Sequence, residues 1–234
     1  MLEYLEHCKQ ELSQIQDADD TILMLENDLV KAREKAVKRG KALTAAREKA
    51  ALALQKRVQE ELRQLDMPKV QFQTEFAPLP GEEGMDSTGM DQVQFLMSAN
   101  VGEALKPIQK VASGGELARI MLAMKNVLAE KDQVGTLIFD EVDTGVSGRA
   151  AQKVAEKLRS VAQHKQVLCV THLPQLAALA DTHLLISKSE REGRTYTAVT
   201  PLDLEGRKRE LARIIGGTNI TETTLLSAEE MLKV

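Results

Sequence analysis

The sequence predicts an α/β fold, a parallel sheet with flanking helices, preceded by one long coiled-coil helix. Two observations predict it. A seven-residue apolar repeat runs through residues 1–65, and beyond residue 114 short apolar runs alternate with amphipathic helical ones. Length and composition set the scale: 234 residues, 43% of them hydrophobic, suffice for one or two domains with a core.

The first element is the arm, residues 1–65. It contains no proline and a single glycine, Gly40. One heptad column holds Ile15, Ile22, Leu29, Ala36, Leu43 and Ala50. The column three residues on holds Ala18, Leu25, Ala32, Arg39, Ala46 and Ala53. Only Arg39 breaks this a/d seam. "AREKA" recurs two heptads apart, at 32–36 and 46–50. Such a helix would reach about 90 Å at 1.5 Å per residue. It has no core of its own, so the seam calls for a partner helix. The competing reading, a helix packed along a globular body, would overrun a small domain.

Residues 66–234 form the second predicted domain. Pro68 ends the helical region. "KVQFQTEF" then places Val70, Phe72, Thr74 and Phe76 on one face of a half-buried strand. "APLPGEEGMDSTGMD" is a loop rich in Gly and Pro, and "QVQFLMSA" (92–99) is the paired strand. From Leu117, the residues Ile120, Met121, Met124, Val127 and Leu128 follow helical spacing. "VGTLIFDE" (134–141) and "QVLCVTHL" (166–173) read as buried strands. Between them lies the amphipathic helix "GRAAQKVAEKLRSVA". A short helix "PQLAALA" and a third strand "THLLISK" continue the alternation that implies a parallel sheet. A further strand "TYTAVTPL" and two helices, around "RELARIIGG" and "TETTLLSAEEMLKV", complete the chain.

Composition removes several functional classes. Aromatics are 3% and Trp is absent, so no base-stacking platform is available. The net charge of −4 argues against a generally basic nucleic-acid face, though not against a local patch. Cys8 and Cys169 lie far apart with no metal-ligand partners nearby, which fits a reducing cytoplasm. Cys169 sits in an apolar run, where a thiol behaves as a small hydrophobe. No apolar stretch is long enough for a membrane span, and "MLEYLEHCKQ" does not read as a signal peptide.

The chemistry-bearing residues fall where an open α/β sheet binds ligands, beyond the carboxyl ends of its strands. Asp140 and Glu141 follow "TLIF"; Thr171 and His172 follow "LCV". Upstream, "VASGGELARI" opens a helix with Ser-Gly-Gly-Glu. Ser113 and Glu116 match a capping box, and a glycine-opened helix N-terminus also favours a phosphate. Two acids leaving a core, or one strand-end histidine, are commonplace singly. Both of them downstream of SGGE, in this order, are not.

That constellation resembles the later half of an ABC-type ATPase head. "SGGE" (113–116) stands as the signature, "TLIFDE" (136–141) as Walker B with its glutamate, "VDTGVSG" (142–148) as the D-loop region, and His172 as the switch histidine. The acidic signature and the long arm resemble the SMC-related branch. The runs "LKPIQKVASGGELARIMLAMK", "FDEVDTGVSGRAAQKVAEKL" and "VTHLPQLAALADTHLLISK" are similar to the RecN family of bacterial DNA-repair ATPases within it. From residue 92 onward the similarity is dense; over residues 1–65 it rests on helical character.

The resemblance implies ATP and Mg²⁺ as cofactors. Ser113, Gly114, Gly115 and Glu116 would contact the γ-phosphate held by the opposite subunit. Asp140 would hold Mg²⁺ through water, Glu141 would activate the attacking water, and His172 would sense the γ-phosphate. Asp143 would bridge the two subunits near the signature. A homodimer of heads, clamped by ATP and released by hydrolysis, would act on DNA double-strand ends in the cytoplasm, associated with the nucleoid. No G-x-x-x-x-G-K-[ST] occurs in the sequence. The expectation is therefore the C-terminal part of a longer protein, starting within the coiled coil, whose N-terminal half brings the P-loop. Two alternatives stay open: a non-catalytic coiled-coil adaptor, and the head of another SMC-branch ATPase. The basic stretch Lys31, Arg33, Lys35, Lys38, Arg39 and Lys41, interrupted by Glu34, reads as a solvated helix face.

Overall fold

The computed structural model describes residues 1–81, 84–98, 100, 102–110, 114–129, 132–191 and 193–233. The chain forms two compact units, Met1–Leu52 with Glu75–Gln94, and Ala53–Thr74 with Phe95–Val234. Among the described residues no helix is long and apolar enough to cross a membrane.

Helix α1 runs unbroken from Leu2 to Gln64. In the first unit the seam residues Ile22, Leu25 and Leu29 stand exposed, as do Leu23, Met24 and Val30 off the seam. Gly40 is buried, because Met90 lies over it; a Cβ there would stand 2.5 Å from Met90 Sδ. The residues around Met90 are pinned to the same stretch of α1. Thr44 Oγ1 donates to the Asp91 carboxylate at 2.8 Å, and Arg47 Nη2 donates to the Thr88 carbonyl at 2.7 Å. The basic residues from Lys31 to Lys41 are exposed.

In the second unit the end of α1 becomes core. Val58, Leu62 and Leu65 are fully buried with Phe72, Met97, Ile120, Leu122, Val142, Val154 and Val161. The helix closes when the Met67 N–H returns to the Leu62 carbonyl (2.9 Å), with Asp66 in the left-handed region at φ 64°. That is a Schellman-type stop, and Pro68 forbids continuation. Strands β1 (Gln71–Pro78), β2 (Asp91–Ser98) and β3 (Lys106–Pro107) follow in the order β1-β2-β3, with β2 and β3 antiparallel; of these strands, Glu75–Pro78 and Asp91–Gln94 are counted with the first unit. Phe72 and Phe95 meet with ring centroids 5.4 Å apart.

Helix α2 (Gly114–Leu128), strand β4 (Thr136–Phe139), helix α3 (Gly148–Ala162), strand β5 (Gln166–Cys169) and helix α4 (Pro174–Leu179) form the α/β body. β4 and β5 pair in parallel, Thr136 with Gln166 through Phe139 with Cys169, joined by the α3 crossover. Leu137 and Phe139 point into the core, whereas Ile138 is 71% exposed and Leu168 and Val170 also face solvent. Their sequence reads as that of buried strands. Only one face is covered by described residues.

Among the described residues, the third expected strand does not join the parallel sheet. β6 (Leu184–Arg191) pairs antiparallel with β7 (Arg194–Pro201), from Leu184–Pro201 to Arg191–Arg194. The two segments are neighbours in sequence, and Gly193, just before β7, sits at φ 72°. Such a hairpin closes with little loop entropy and wins over a distant parallel edge. Helices α5 (Leu204–Gly216) and α6 (Glu222–Leu232) pack around Leu211, Ala212 and Ala228. Each is capped: Asp203 accepts from Gly206 N–H at 2.7 Å, and Thr221 and Thr224 form a reciprocal box.

Candidate functional site

The loop from Asp140 to Ser147, between β4 and α3, organises the site. β4 delivers it at the carboxyl edge of the parallel pair, and α2 and β5 converge on it. Ser113 and its capping role lie outside the described residues. Gly114 and Gly115 begin α2, and Gly115 is required by the backbone of that loop. A Cβ on Gly114 would collide with the Glu141 carboxylate. On Gly115 it would stand 2.9 Å from both Cβ and the carbonyl oxygen of Thr144, and 3.1 Å from the Glu141 carbonyl oxygen. Gly115 therefore lets the α2 N-terminus sit directly on the 141–144 backbone of the same chain.

Glu141 is exposed and sits at φ 58°, which costs a non-glycine residue of order 1 kcal/mol. Such strain persists only where the surroundings impose it. Its carboxylate lies against Gly114, in the first turn of α2, where the helix dipole favours an anion. Asp140 is exposed, and its Oδ1 accepts the Glu141 N–H at 2.9 Å. Its other oxygen is the donor a hydrated cation would use. Among the described residues no cluster of three or more His, Cys, Asp or Glu could cage a metal. That donor set fits Mg²⁺, which keeps its waters and takes one or two carboxylates.

Asp143 points inward. It is 3% exposed, and its Oδ2 accepts from Thr171 Oγ1 at 2.5 Å and from the His172 backbone N–H at 3.1 Å. His172 Nδ1 lies 3.3 Å from the same oxygen, while the imidazole itself is 76% exposed. Sequence reasoning placed Asp143 as a bridge between subunits; here its carboxylate is engaged within its own chain. Two clusters thus share one loop: Gly114, Gly115 and Glu141 on one side, and Asp143, Thr171 and His172 on the other. Glu116 lies in the first turn of α2.

Sequence reasoning missed Arg119. It is 7% exposed and donates through Nη1 to the Thr144 carbonyl at 2.7 Å, tying α2 to the loop a second time. Burial pulls its pKa down, and Glu116 pulls it partly back. The available signal was a cation interrupting the apolar stripe of Leu117, Ile120, Met121 and Met124.

Cys169, at the end of β5, behaves as the small hydrophobe expected. Burial, with Asp143 and Asp140 nearby, pushes its thiol up to about 12. Only the thiolate is nucleophilic, and it forms above that value. Iodoacetamide at pH 8 should alkylate Cys8 and spare Cys169 until the chain is denatured. Peptide mapping that finds both thiols labelled at equal rates in the native chain would contradict this.

No family model matches the chain. It is 45% identical over 233 residues to the DNA repair protein RecN of Halalkalibacterium halodurans, covering 99% of this chain and 41% of that protein. Against the DNA repair protein RecN of Bacillus subtilis it is 42% identical over 245 residues, covering 100% and 42%. The chain thus spans about two fifths of the length of the curated relatives it matches. Among solved structures, the Smc head domain with a coiled coil and joint from Pyrococcus yayanosii matches 74% of this chain, with 22% identity and a TM-score of 0.49.

Proposed function

Because this chain is a homologue of the RecN DNA repair proteins, we propose that it carries the signature, Walker B and switch-histidine portion of an ATPase head acting in DNA double-strand break repair. The observation that carries the reading is the convergence of α2, β4 and β5 on one loop. The signature glycines seat against Glu141, and His172 is held by Asp143, three residues after Asp140.

ATP with Mg²⁺, when bound, would supply the phosphoryl group and the cation that neutralises it. Asp140 would hold that cation through water. Glu141 would orient the attacking water and take its proton. His172 donates a hydrogen bond to the γ-phosphate. Ser113 and the N–H groups of Gly114 and Gly115 meet the γ-phosphate of a second head, with Glu116 beside them. Catalysis of this kind is mostly positioning and charge stabilisation. Two heads close on ATP and part after hydrolysis, and the arm passes that cycle to DNA ends.

A P-loop must come from a segment outside these 234 residues. The uncovered apolar face of Ile138, Leu168 and Val170 supports docking of such a segment on the β4–β5 pair. ATP turnover should be absent from this chain alone and appear when a polypeptide carrying the P-loop half is added. Glu141→Gln should then lower turnover by about 100-fold or more. An associated, nucleotide-bound mixture with no turnover would overturn the catalytic reading and favour a coiled-coil adaptor.

A further inference from the structure

We infer that Asp143 is a positioning residue that sets the place of His172 from within the same chain, through the β5–α4 turn; this rests on the ATPase reading above. Three observations converge. Asp143 is almost wholly buried, yet the pair of groups donating hydrogen bonds to it both belong to one short turn. The Thr171 hydroxyl gives its proton to Asp143 and accepts the Leu173 N–H at 3.0 Å. That hydroxyl therefore bridges the acid to the residue preceding α4, whose first residue is Pro174. The His172 N–H is the second donor, and Nδ1 lies 3.3 Å from the same carboxylate oxygen.

The consequence follows from burial. An exposed imidazole on a strand-end turn has no packing of its own to fix it. His172 is 76% exposed, so its position is inherited from its backbone and from whatever its ring edge touches. Asp143 supplies both. A buried carboxylate also holds its donors more firmly than a solvated one, because the local dielectric is low. Asp143 follows Asp140 and Glu141 on the same loop, and Arg119 clamps the next carbonyl, that of Thr144. A shift of the loop that moves Glu141 therefore moves His172 with it. This makes the histidine's position a function of the Walker B loop, and places Asp143 between the two groups without touching substrate itself.

A purely architectural acid would also be buried and bonded. The two roles separate in kinetics and in the spectrum of one amide. The full chain is labelled with 15N-histidine, giving four backbone amide signals for its four histidines, with His172 assigned by substitution. In the Asp143→Asn variant the His172 amide should move upfield as its charged acceptor is lost. In the mixture with the P-loop half, kcat should fall about 10- to 100-fold, as for a misplaced catalytic group, while KM for ATP stays within about twofold. Thr171→Ser, which keeps the bridging hydroxyl, should retain kcat within about twofold, and Thr171→Val should lose about tenfold. This Thr171 pair decides the matter should Asp143→Asn fail to fold. A turnover-competent wild type matched by Asp143→Asn, or a Thr171→Ser variant as impaired as Thr171→Val, overturns the inference and leaves the ATPase reading standing. An unmoved His172 amide overturns it irrespective of turnover. A wild-type mixture without turnover overturns the ATPase reading instead, and the amide shift still reports the contact.

Discussion

Replacing Gly115 by alanine should destabilise the chain by about 1–3 kcal/mol and abolish any turnover in the reconstituted mixture. The added methyl would meet two backbone carbonyl oxygens, of Thr144 at 2.9 Å and of Glu141 at 3.1 Å, and Thr144 Cβ at 2.9 Å. Backbone atoms have no alternative rotamer. Either α2 lifts off the loop or the loop moves, and the loop carries Asp140, Glu141 and Asp143. Lifting α2 also stretches the Arg119 bond to the Thr144 carbonyl and leaves a buried cation short of a partner, a second cost of about 1–3 kcal/mol. Gly135→Ala is the control. It stands just before β4 with nothing within 4 Å of its would-be Cβ and should be neutral within about 0.5 kcal/mol. Denaturant midpoints of the two variants measure the difference. Equal midpoints would mean that the contact between Gly115 and the loop is dispensable.

Local patterns were legible where one face of an element decides its structure. α3 runs over residues 148–162, the span its periodicity predicts, because Ala151, Val154, Ala155, Leu158 and Val161 make an unbroken buried stripe. Of the expected strands 134–141 and 166–173, the structure forms the shorter β4 (Thr136–Phe139) and β5 (Gln166–Cys169). Pairing is a non-local choice, and there periodicity was silent. β6 reads as a parallel strand by its apolar content but is captured by its neighbour in sequence. Burial of β4 on one face only was equally invisible, since an apolar run such as "TLIF" looks the same with one face covered or two.

At the site, residue types and order were readable, and directions were not. Glu141 and Gly114 lie 27 positions apart, and nothing in their spacing announces that one carboxylate rests on the other's helix. The inward turn of Asp143 depends on Thr171 and His172 arriving from β5. Arg119 was hidden by its setting, a cation that reads as helix surface until the loop closes over it.

The other large effect concerns where the long helix stops being arm and becomes core. Leu62 is 0% exposed among Phe72, Met97, Ile120 and Val161, whereas Leu29 on the same helix is 68% exposed. Truncating Leu62 to alanine removes buried methyl groups and leaves a cavity, at a cost of about 2–5 kcal/mol. For a unit of ordinary marginal stability that is a large share of the whole. Leu29→Ala removes no buried contact in the isolated chain and should shift its unfolding midpoint by no more than about 0.5 kcal/mol. Adding the partner helix that the heptad seam calls for reverses the ranking for association. Leu29→Ala should then weaken pairing while Leu62→Ala leaves the seam untouched, because Leu62 faces the second unit's own core. Neighbouring polar groups sharpen the boundary. Glu61 accepts from Asn126 Nδ2 of α2 at 2.7 Å and pairs with Lys157 Nζ of α3 at 2.9 Å. The last turns of α1 are thereby bonded to α2, which starts at Gly114, and to α3, which follows the 140–147 loop. Thermal melts of the two variants, with and without the partner helix, separate the roles. A Leu62→Ala chain that melts with the wild type would mean that α1 is arm to its end and contributes nothing to the α/β core.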